Sequence, residues 1–207
     1  MGVNHKENIL LTPAHVVRLS QMHRHVSNKQ AYVKQFPSDY PHARLMNLPT
    51  PPNNYSCSLV MAKLALDAYG IVKPPDKEIA QAIKLIPEKG ADQWPLFEGL
   101  VALGIACLAD ENRTIQDISR EIASHKAFCI MSHQYIYSTL HEWKKIMAGH
   151  YSGMCCFDHR HVYSADPSYK AGKTRLSPEY ADELFYDIEL ETGRLVSGFG
   201  IIVPIRE

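Results

Sequence analysis

The hydrophobic pattern of residues 56–125 is typical of helices. The first predicted helix follows Ser56, a residue type favoured at helix N-caps, and covers CSLVMAKLALDAY before Gly70. Because this helix is apolar around most of its circumference, we expect it to lie in the centre of the domain. Three further helices are predicted to begin near Asp76, Trp94 and Thr114. The last of these has Asp117 three residues after its start, the spacing of a capping box.

The pattern changes to short strands in the second half of the chain. The apolar run at 127–131 has the length of a buried strand, and a further helix is predicted at 137–148. Two strands are predicted at 150–157 and 162–165, joined by a polar turn at 158–160.

A last helix and a last strand complete the predicted elements. The helix begins at Ser177-Pro178, with proline at the favoured first position, and continues to about Asp187. The strand begins at about Val196. Since helices come first and strands after, we predict an α+β fold in which a helical half (56–125) packs on an antiparallel sheet half (126–204), with a cleft between them.

The first 52 residues differ in composition from the rest. Residues 1–48 carry six Lys or Arg against two Asp or Glu, a net charge of +4, and five histidines. Prolines follow at high density from Pro37 to Pro52, and they exclude a helix or a central strand there. We predict an N-terminal helical arm with a proline-rich linker (1–52) and a separate domain (53–207). The arm is expected either to lie across the cleft as a lid or to mediate oligomer contacts.

Composition excludes several classes of protein. The 207 residues include 22 Lys+Arg and 22 Asp+Glu, and this balance argues against a nucleic-acid partner. No apolar run approaches the roughly 18 residues of a membrane span, and the apolar part of the N-terminus is too short for a secretory signal. We therefore expect a cytoplasmic protein without membrane contact.

The five cysteines include no CxxC pair, so neither a disulfide framework nor a zinc ribbon is indicated. Cys107 and Cys129 lie in apolar runs and are expected in the core. Cys155 and Cys156 are adjacent in a predicted strand, so we expect one on each face of the sheet. A metal site formed by the histidines of the 158–161 turn is a weaker interpretation than an exposed polar turn. No metal or cofactor is predicted.

Cys57 differs from the other cysteines in its position at the start of a helix. The unpaired N–H groups and the positive end of the helix dipole favour a thiolate there. A nucleophilic cysteine also needs a base, and His150 opens a predicted strand. Asp166 ends the following strand, so a hairpin would place it opposite His150, where it could hold the imidazole. A small core cysteine, a structural histidine and a turn aspartate are the alternative interpretations.

These motifs resemble the papain-superfamily cysteine peptidases of the bacteriocin-processing-peptidase-like type. The resemblance lies in N-N-Y-S-C before the first helix, G-H-Y at the start of the strand, V-Y-S-A-D-P at its partner and L-S-P-E-Y after it. It covers about residues 53–205. It implies a papain-like α+β fold with a Cys57, His150 and Asp166 triad and a peptide or amide substrate.

Two positions depart from the pattern of this family. Its members usually have Cys-Gly-Pro at the nucleophile, whereas this chain has Cys57-Ser58-Leu59. Their oxyanion glutamine, about six positions before the cysteine, corresponds to Pro51 here. We therefore expect the oxyanion donors to be the Cys57 backbone N–H and the side-chain amide of Asn53 or Asn54.

The predicted function is thiol-dependent hydrolysis of an amide or peptide bond through an acyl-enzyme. Two alternatives stay open. An acyltransferase or transpeptidase would pass the same acyl group to an amine or thiol. A peptide-binding module would keep the cleft and have little or no catalytic activity.

Overall fold

A computed structural model of the chain describes residues 56–134, 149–158, 160–167 and 173–206. The predicted arm and linker, the predicted helix at 137–148, and both Asn53 and Asn54 lie outside the described residues. The division into arm and domain therefore stays a prediction. Within the described residues, no helix is long and apolar enough to cross a membrane.

Five helices are described, and each follows a start that the sequence predicts. They are α1 (Cys57–Tyr69), α2 (Asp76–Ala82), α3 (Gln93–Ala102), α4 (Ile115–His125) and α5 (Pro178–Leu184). The central helix α1 buries most of its residues and ends at Gly70, which has a φ of 76°. Ser56 precedes α1 as predicted, but its side chain makes no capping hydrogen bond.

Side-chain caps begin the two helices α4 and α5. The Thr114 hydroxyl accepts a hydrogen bond from the Asp117 N–H, and the Asp117 carboxylate accepts one from the Thr114 N–H. This reciprocal pair is the predicted capping box. Ser177 accepts a hydrogen bond from the Tyr180 N–H, with Pro178 in the first turn.

The described strands form one six-stranded sheet and one two-stranded sheet. They are β1 (Leu108–Asp110), β2 (Ala127–Gln134), β3 (Gly149–Asp158), β4 (His161–Ala165), β5 (Lys173–Leu176), β6 (Tyr186–Ile188), β7 (Leu195–Ser197) and β8 (Gly200–Pro204). The large sheet has the order β1-β8-β2-β3-β4-β5, and all its pairs are antiparallel. The α+β class is therefore as predicted. The predicted last strand is divided, because β7 pairs with β6 and β8 joins the large sheet.

Apolar side chains cover both faces of the large sheet. Along β2, Phe128 and Ile130 pack in one core cluster with α1, while Cys129 and Met131 pack in a second cluster with α4 and α5. This alternation follows from the two-residue period of a strand. Consequently α4 lies on the opposite face from α1, although both belong to the helical segment that precedes the sheet in the chain.

A bulge in β3 changes the direction of one cysteine. The register of β3 against β4 shifts between Met154 and Cys156, so Cys155 is an extra residue. The Cys155 and Cys156 sulfurs lie 3.2 Å apart, and both side chains pack in the α1 cluster. The prediction of one cysteine on each face is therefore wrong, because the bulge interrupts the alternation of the strand. Cys107 and Cys129 are buried, as predicted.

Candidate active site

A cleft of about 350 Å³ opens at the N-terminal end of α1. Its walls are the loop 89–92, the end of β2, the start of β3 and parts of the segment 187–193. Two hydrogen bonds join these walls. The Tyr151 hydroxyl donates to the Ala91 carbonyl at 3.0 Å, and the Leu190 N–H donates to Asp92 Oδ1 at 2.6 Å. Three separate segments of the chain are therefore held around one opening.

Cys57 lines this cleft as the first residue of α1. Its side chain is 8% exposed, at the boundary between the core and the cleft. The first N–H groups of a helix have no partner within the helix, so they present partial positive charge to a group at that end. The sulfur thus lies at the positive end of the α1 dipole.

His150 lies in β3 and interacts with two of its neighbours in the site. Its Nε2 is 2.8 Å from Asp166 Oδ1, and its ring also interacts electrostatically with Cys57. Burial opposes a charge on this imidazole, but the negative charge and hydrogen bond of Asp166, assisted by Cys57, outweigh it and raise the His150 pKa above its usual value. The site therefore favours an imidazolium between a carboxylate and a sulfur.

A second buried histidine, His133, stands opposite His150 on the neighbouring strand β2. The two rings meet edge to face, with centroids 5.3 Å apart. The Nδ1 of His133 lies 2.7 Å from the Gln134 carbonyl, and its Nε2 lies 2.8 Å from the Ser152 hydroxyl. Burial and the charge of His150 lower the His133 pKa to about 4. His133 is therefore neutral at pH 7, with Nδ1–H donating and Nε2 accepting.

Asp187 in β6 also lines the cleft. Its Oδ2 accepts hydrogen bonds from the Gln93 amide at 3.1 Å and the Ser132 hydroxyl at 2.8 Å. Its Oδ1 accepts from the Gln134 amide at 3.3 Å and from the Ile188 N–H at 2.8 Å. Burial raises the Asp187 pKa to about 6, against the opposing effect of these hydrogen bonds.

The backbone of Gly149 lies directly against this carboxylate. A Cβ at Gly149 would be 2.2 Å from Asp187 Oδ1, far inside van der Waals contact. Only glycine allows this approach. Asp187 is thereby held beside the residue that precedes His150.

The structure brings together Cys57, His150 and Asp166, the three side chains that the sequence predicts as a group. The β3–β4 hairpin joins the two ends where His150 and Asp166 lie, and α1 supplies Cys57. The predicted oxyanion donors Asn53 and Asn54 lie outside the described residues.

The sequence does not predict the other two groups of the site, His133 and Asp187. Its prediction for β2 stops at Met131 because the next three residues are polar, whereas the strand continues through Ser132, His133 and Gln134. A polar triplet that directly continues an apolar strand was an available signal for these residues. The sequence predicts a helix that continues to about Asp187. In the structure this helix ends at Leu184, and Asp187 lies in β6.

One group of described side chains has the spacing of a metal site. Donor atoms of His133, His150 and Asp166 all lie within 4.8 Å of one another. Each of these residues has a protein partner in the structure, so a metal ion would have to displace hydrogen bonds. The turn proposed from sequence for a metal includes His159, which lies outside the described residues.

Solved structures share this arrangement of helices and sheet. One, from Bacillus anthracis, is described as a C39-like peptidase; it has a TM-score of 0.56 and 12% identity, with 79% of this chain and 97% of that chain covered. Another is the peptidase domain of Streptococcus ComA, a bifunctional ABC transporter involved in a quorum-sensing pathway, with a TM-score of 0.53, 14% identity and coverage of 77% and 98%. No protein-family model and no curated protein matches the sequence. The chain therefore has the fold of the C39-like peptidases, in line with the papain-like resemblance.

Proposed function

We propose that the protein is a cysteine hydrolase of amide or peptide bonds, with Cys57 as nucleophile, His150 as acid and base, and Asp166 as the residue that orients the imidazole. One observation carries this proposal: a buried imidazole that is hydrogen-bonded to a carboxylate and interacts with the cysteine at a helix start. The fold shared with two peptidases supports it.

The first step of the proposed reaction forms a thioester. The Cys57 thiolate attacks the carbonyl carbon of the scissile amide, and the electron pair of the carbonyl moves to its oxygen. The tetrahedral intermediate then collapses as the His150 imidazolium donates its proton to the leaving nitrogen. The amine leaves, and the acyl group remains on the sulfur.

The second step releases the acyl group. Neutral His150 takes a proton from water, and the resulting hydroxide attacks the thioester carbon. Collapse of this intermediate forms the carboxylic acid and restores the thiolate beside the imidazolium. An amine in place of water would give a transpeptidase product from the same thioester.

The negative oxygen of both intermediates needs hydrogen-bond donors. The backbone N–H of Cys57 is one proposed donor, because the first N–H groups of a helix are free of intrahelical partners. The second is the side-chain amide of Asn53 or Asn54, four and three residues before the nucleophile. Loss of one such donor typically slows acyl transfer by about 100-fold to 1000-fold.

Alkylation by iodoacetamide, followed by peptide mass spectrometry, tests the nucleophile without knowledge of the substrate. Cys107 serves as an internal comparison, because it is buried to a similar degree and burial raises its pKa to about 11. We expect Cys57 to react at least about tenfold faster than Cys107 at pH 6, because the thiolate is the reactive form.

The His150→Ala variant should lower the Cys57 rate by about tenfold or more, whereas His161→Ala, outside the cleft, should leave it unchanged. Equal rates at Cys57 and Cys107 would contradict the proposal and favour a binding module. Mass analysis of a peptide library incubated with the protein, with and without added amines, distinguishes hydrolysis from acyl transfer.

A further inference from the structure

Among the residues that the structure describes, the charged side chains that line the cleft are mostly acidic. They are Lys89, Asp92, Asp187 and Glu189. Glu189 is paired with Arg194, and both Asp92 oxygens accept backbone N–H groups of the segment that follows β6. Asp187 is the most deeply placed of the three acids, with 7% of its surface exposed.

All the hydrogen bonds to the Asp187 carboxylate come from neutral donors. They are the side chains of Gln93, Ser132 and Gln134 and the backbone N–H of Ile188. Within the described parts of the chain, Asp187 forms no ion pair with a Lys, Arg or His side chain. A buried carboxylate without a positive partner is costly, and such groups are common at functional sites.

A second acceptor lies beside Asp187, and unlike that carboxylate it has no hydrogen-bond donor among the described residues. The Gln93 amide nitrogen donates to Asp187 and Ser132, and its buried oxygen Oε1 has no hydrogen-bond partner within the described parts of the chain. Gln93 itself is 1% exposed. Gln93 does not line the cleft, whereas Asp187 does. The Asp187 carboxylate is therefore the group that a cation with several N–H groups would complement.

Asp187 is also close to the proposed chemistry. Its carboxylate lies against the backbone of Gly149, the residue before His150, and it lines the same cleft as Cys57. A group bound at Asp187 would therefore be part of, or adjacent to, the molecule attacked by the sulfur.

We propose that this cleft selects a cationic group, an ammonium or a guanidinium, on the molecule that reacts at Cys57, with Asp187 as its counter-charge. This inference rests on the proposed function, since it assigns the cleft to the substrate. The cation belongs either to a basic side chain of the acyl substrate or to an amine acceptor.

Charged methanethiosulfonates measure this selection at the sulfur itself. The Cys57 thiolate attacks the sulfenyl sulfur of the reagent, a mixed disulfide forms, and methanesulfinate leaves with the bonding electron pair. The probes are the 2-aminoethyl reagent, which is cationic, and the 2-hydroxyethyl reagent, which is neutral. Peptide mass spectrometry gives the rate of each at Cys57, and the ratio of the two rates cancels the ionisation of the thiol.

We expect the cationic reagent to react faster than the neutral one, and the ratio to fall by about threefold to tenfold in Asp187→Asn, as expected for the loss of one nearby charge in a partly shielded site. Asp67→Asn is the matched control, because Asp67 is an exposed carboxylate paired with Lys73 away from the cleft. Its ratio should equal that of the wild type. Asp187→Ser provides a second variant, and the unfolding transition of each variant establishes that it is folded.

The outcomes separate this inference from the proposed function. An unchanged ratio in both Asp187 variants, with Cys57 still reactive to the neutral reagent, would overturn the cation selection and leave the nucleophile in place. No reaction of Cys57 with either reagent would overturn the proposed function and this inference together.

Two further measurements distinguish the sources of the cation. Preference for lysine over norleucine at one position of cleaved library peptides would place the cation on the acyl substrate. Preference for 1,4-diaminobutane over butylamine in acyl transfer would place it on the acceptor. Either preference should be lost in Asp187→Asn, and the absence of both would overturn the inference.

Discussion

His150 Nε2 lies 2.8 Å from Asp166 Oδ1, and both side chains are buried. Burial alone would favour the neutral imidazole, so the raised His150 pKa depends on Asp166 and Cys57. We expect Asp166→Asn to lower the His150 pKa, so that less imidazolium remains to stabilise the Cys57 thiolate. Alkylation of Cys57 at pH 6 should then slow by about tenfold or more, since one pKa unit is a tenfold change in protonation. The pH profile of the alkylation rate measures this change.

Asp158→Asn is the matched control for that experiment. Asp158 also lies in the β3–β4 hairpin, but at the turn, where it accepts the N–H groups of Arg160 and His161. It should leave the alkylation profile unchanged. A wild-type profile in Asp166→Asn would show that Asp166 does not act on His150 in this way.

The raised His150 pKa also predicts how folding stability changes above neutral pH. In the unfolded chain, the pKa of this imidazole is near its ordinary value of 6.5, whereas the folded protein holds the proton to a higher pH. Its contribution is therefore complete below pH 6.5 and is lost as pH rises through the folded pKa. The free energy of unfolding in urea should fall between pH 7 and pH 10 more steeply for the wild type than for His150→Gln. Parallel curves would contradict this linkage.

Asp187→Asn should stabilise the protein at pH 8. The folded Asp187 pKa is about 6, whereas the ordinary value for an aspartate is 3.8, so the folded state binds the proton more tightly. Stability therefore falls as pH rises between these two values. Removing the charge should add about 1–3 kcal/mol to the free energy of unfolding at pH 8 and little at pH 4. Urea unfolding at both pH values tests this. A variant less stable than the wild type at pH 8 would show that the carboxylate contributes more through hydrogen bonds than its burial costs.

Gly149→Ala should lower both stability and Cys57 reactivity. The added methyl would lie 2.2 Å from Asp187 Oδ1, so either the Asp187 carboxylate must leave its hydrogen bonds or the strand carrying His150 must shift. Overpacking of this kind typically costs about 1–3 kcal/mol. Gly153→Ala is the control in the same strand, since its Cβ would come no closer than 3.3 Å to any atom, the nearest being at the end of the Leu64 side chain. Thermal unfolding and the alkylation rate should separate the two variants.

Thr114→Ala should destabilise the protein by about 1 kcal/mol, because it removes the acceptor for the Asp117 N–H at the start of α4. Ser124→Ala on the same helix is the control, since its exposed hydroxyl only donates to the Glu121 carbonyl. The Cys57 alkylation rate should be the same in both variants, because α4 packs on the sheet face opposite α1. A change in that rate would indicate coupling across the sheet.

Local patterns predicted the helix starts well. The start of α4 at Thr114 and that of α5 after Ser177 are specified by residues within one turn, and the capping hydrogen bonds are present in the structure. The polar turn between β3 and β4 is equally local, and it was sufficient to predict that the two ends carrying His150 and Asp166 lie side by side.

Contacts between distant segments were not predicted. The strand β6 pairs with β7 and supplies Asp187, but its three residues carry no pattern that distinguishes them from the end of the preceding helix. The bulge at Cys155 depends on how β3 meets β4 beyond the turn, and no residue type near it requires one.

The sequence by itself determined the helix starts, the α+β class and the three residues Cys57, His150 and Asp166 as candidates, because caps, hydrophobic periods and hairpin register depend on neighbouring residues. Only the tertiary structure decided that His133 packs against His150 and that Asp187 lies beneath Gly149. The first contact joins the consecutive strands β2 and β3, and the second joins β3 to the more distant β6. Both are set by how the strands assemble rather than by any local pattern. The depth and charge of the cleft belong to this second group, since burial is a property of the whole packed domain.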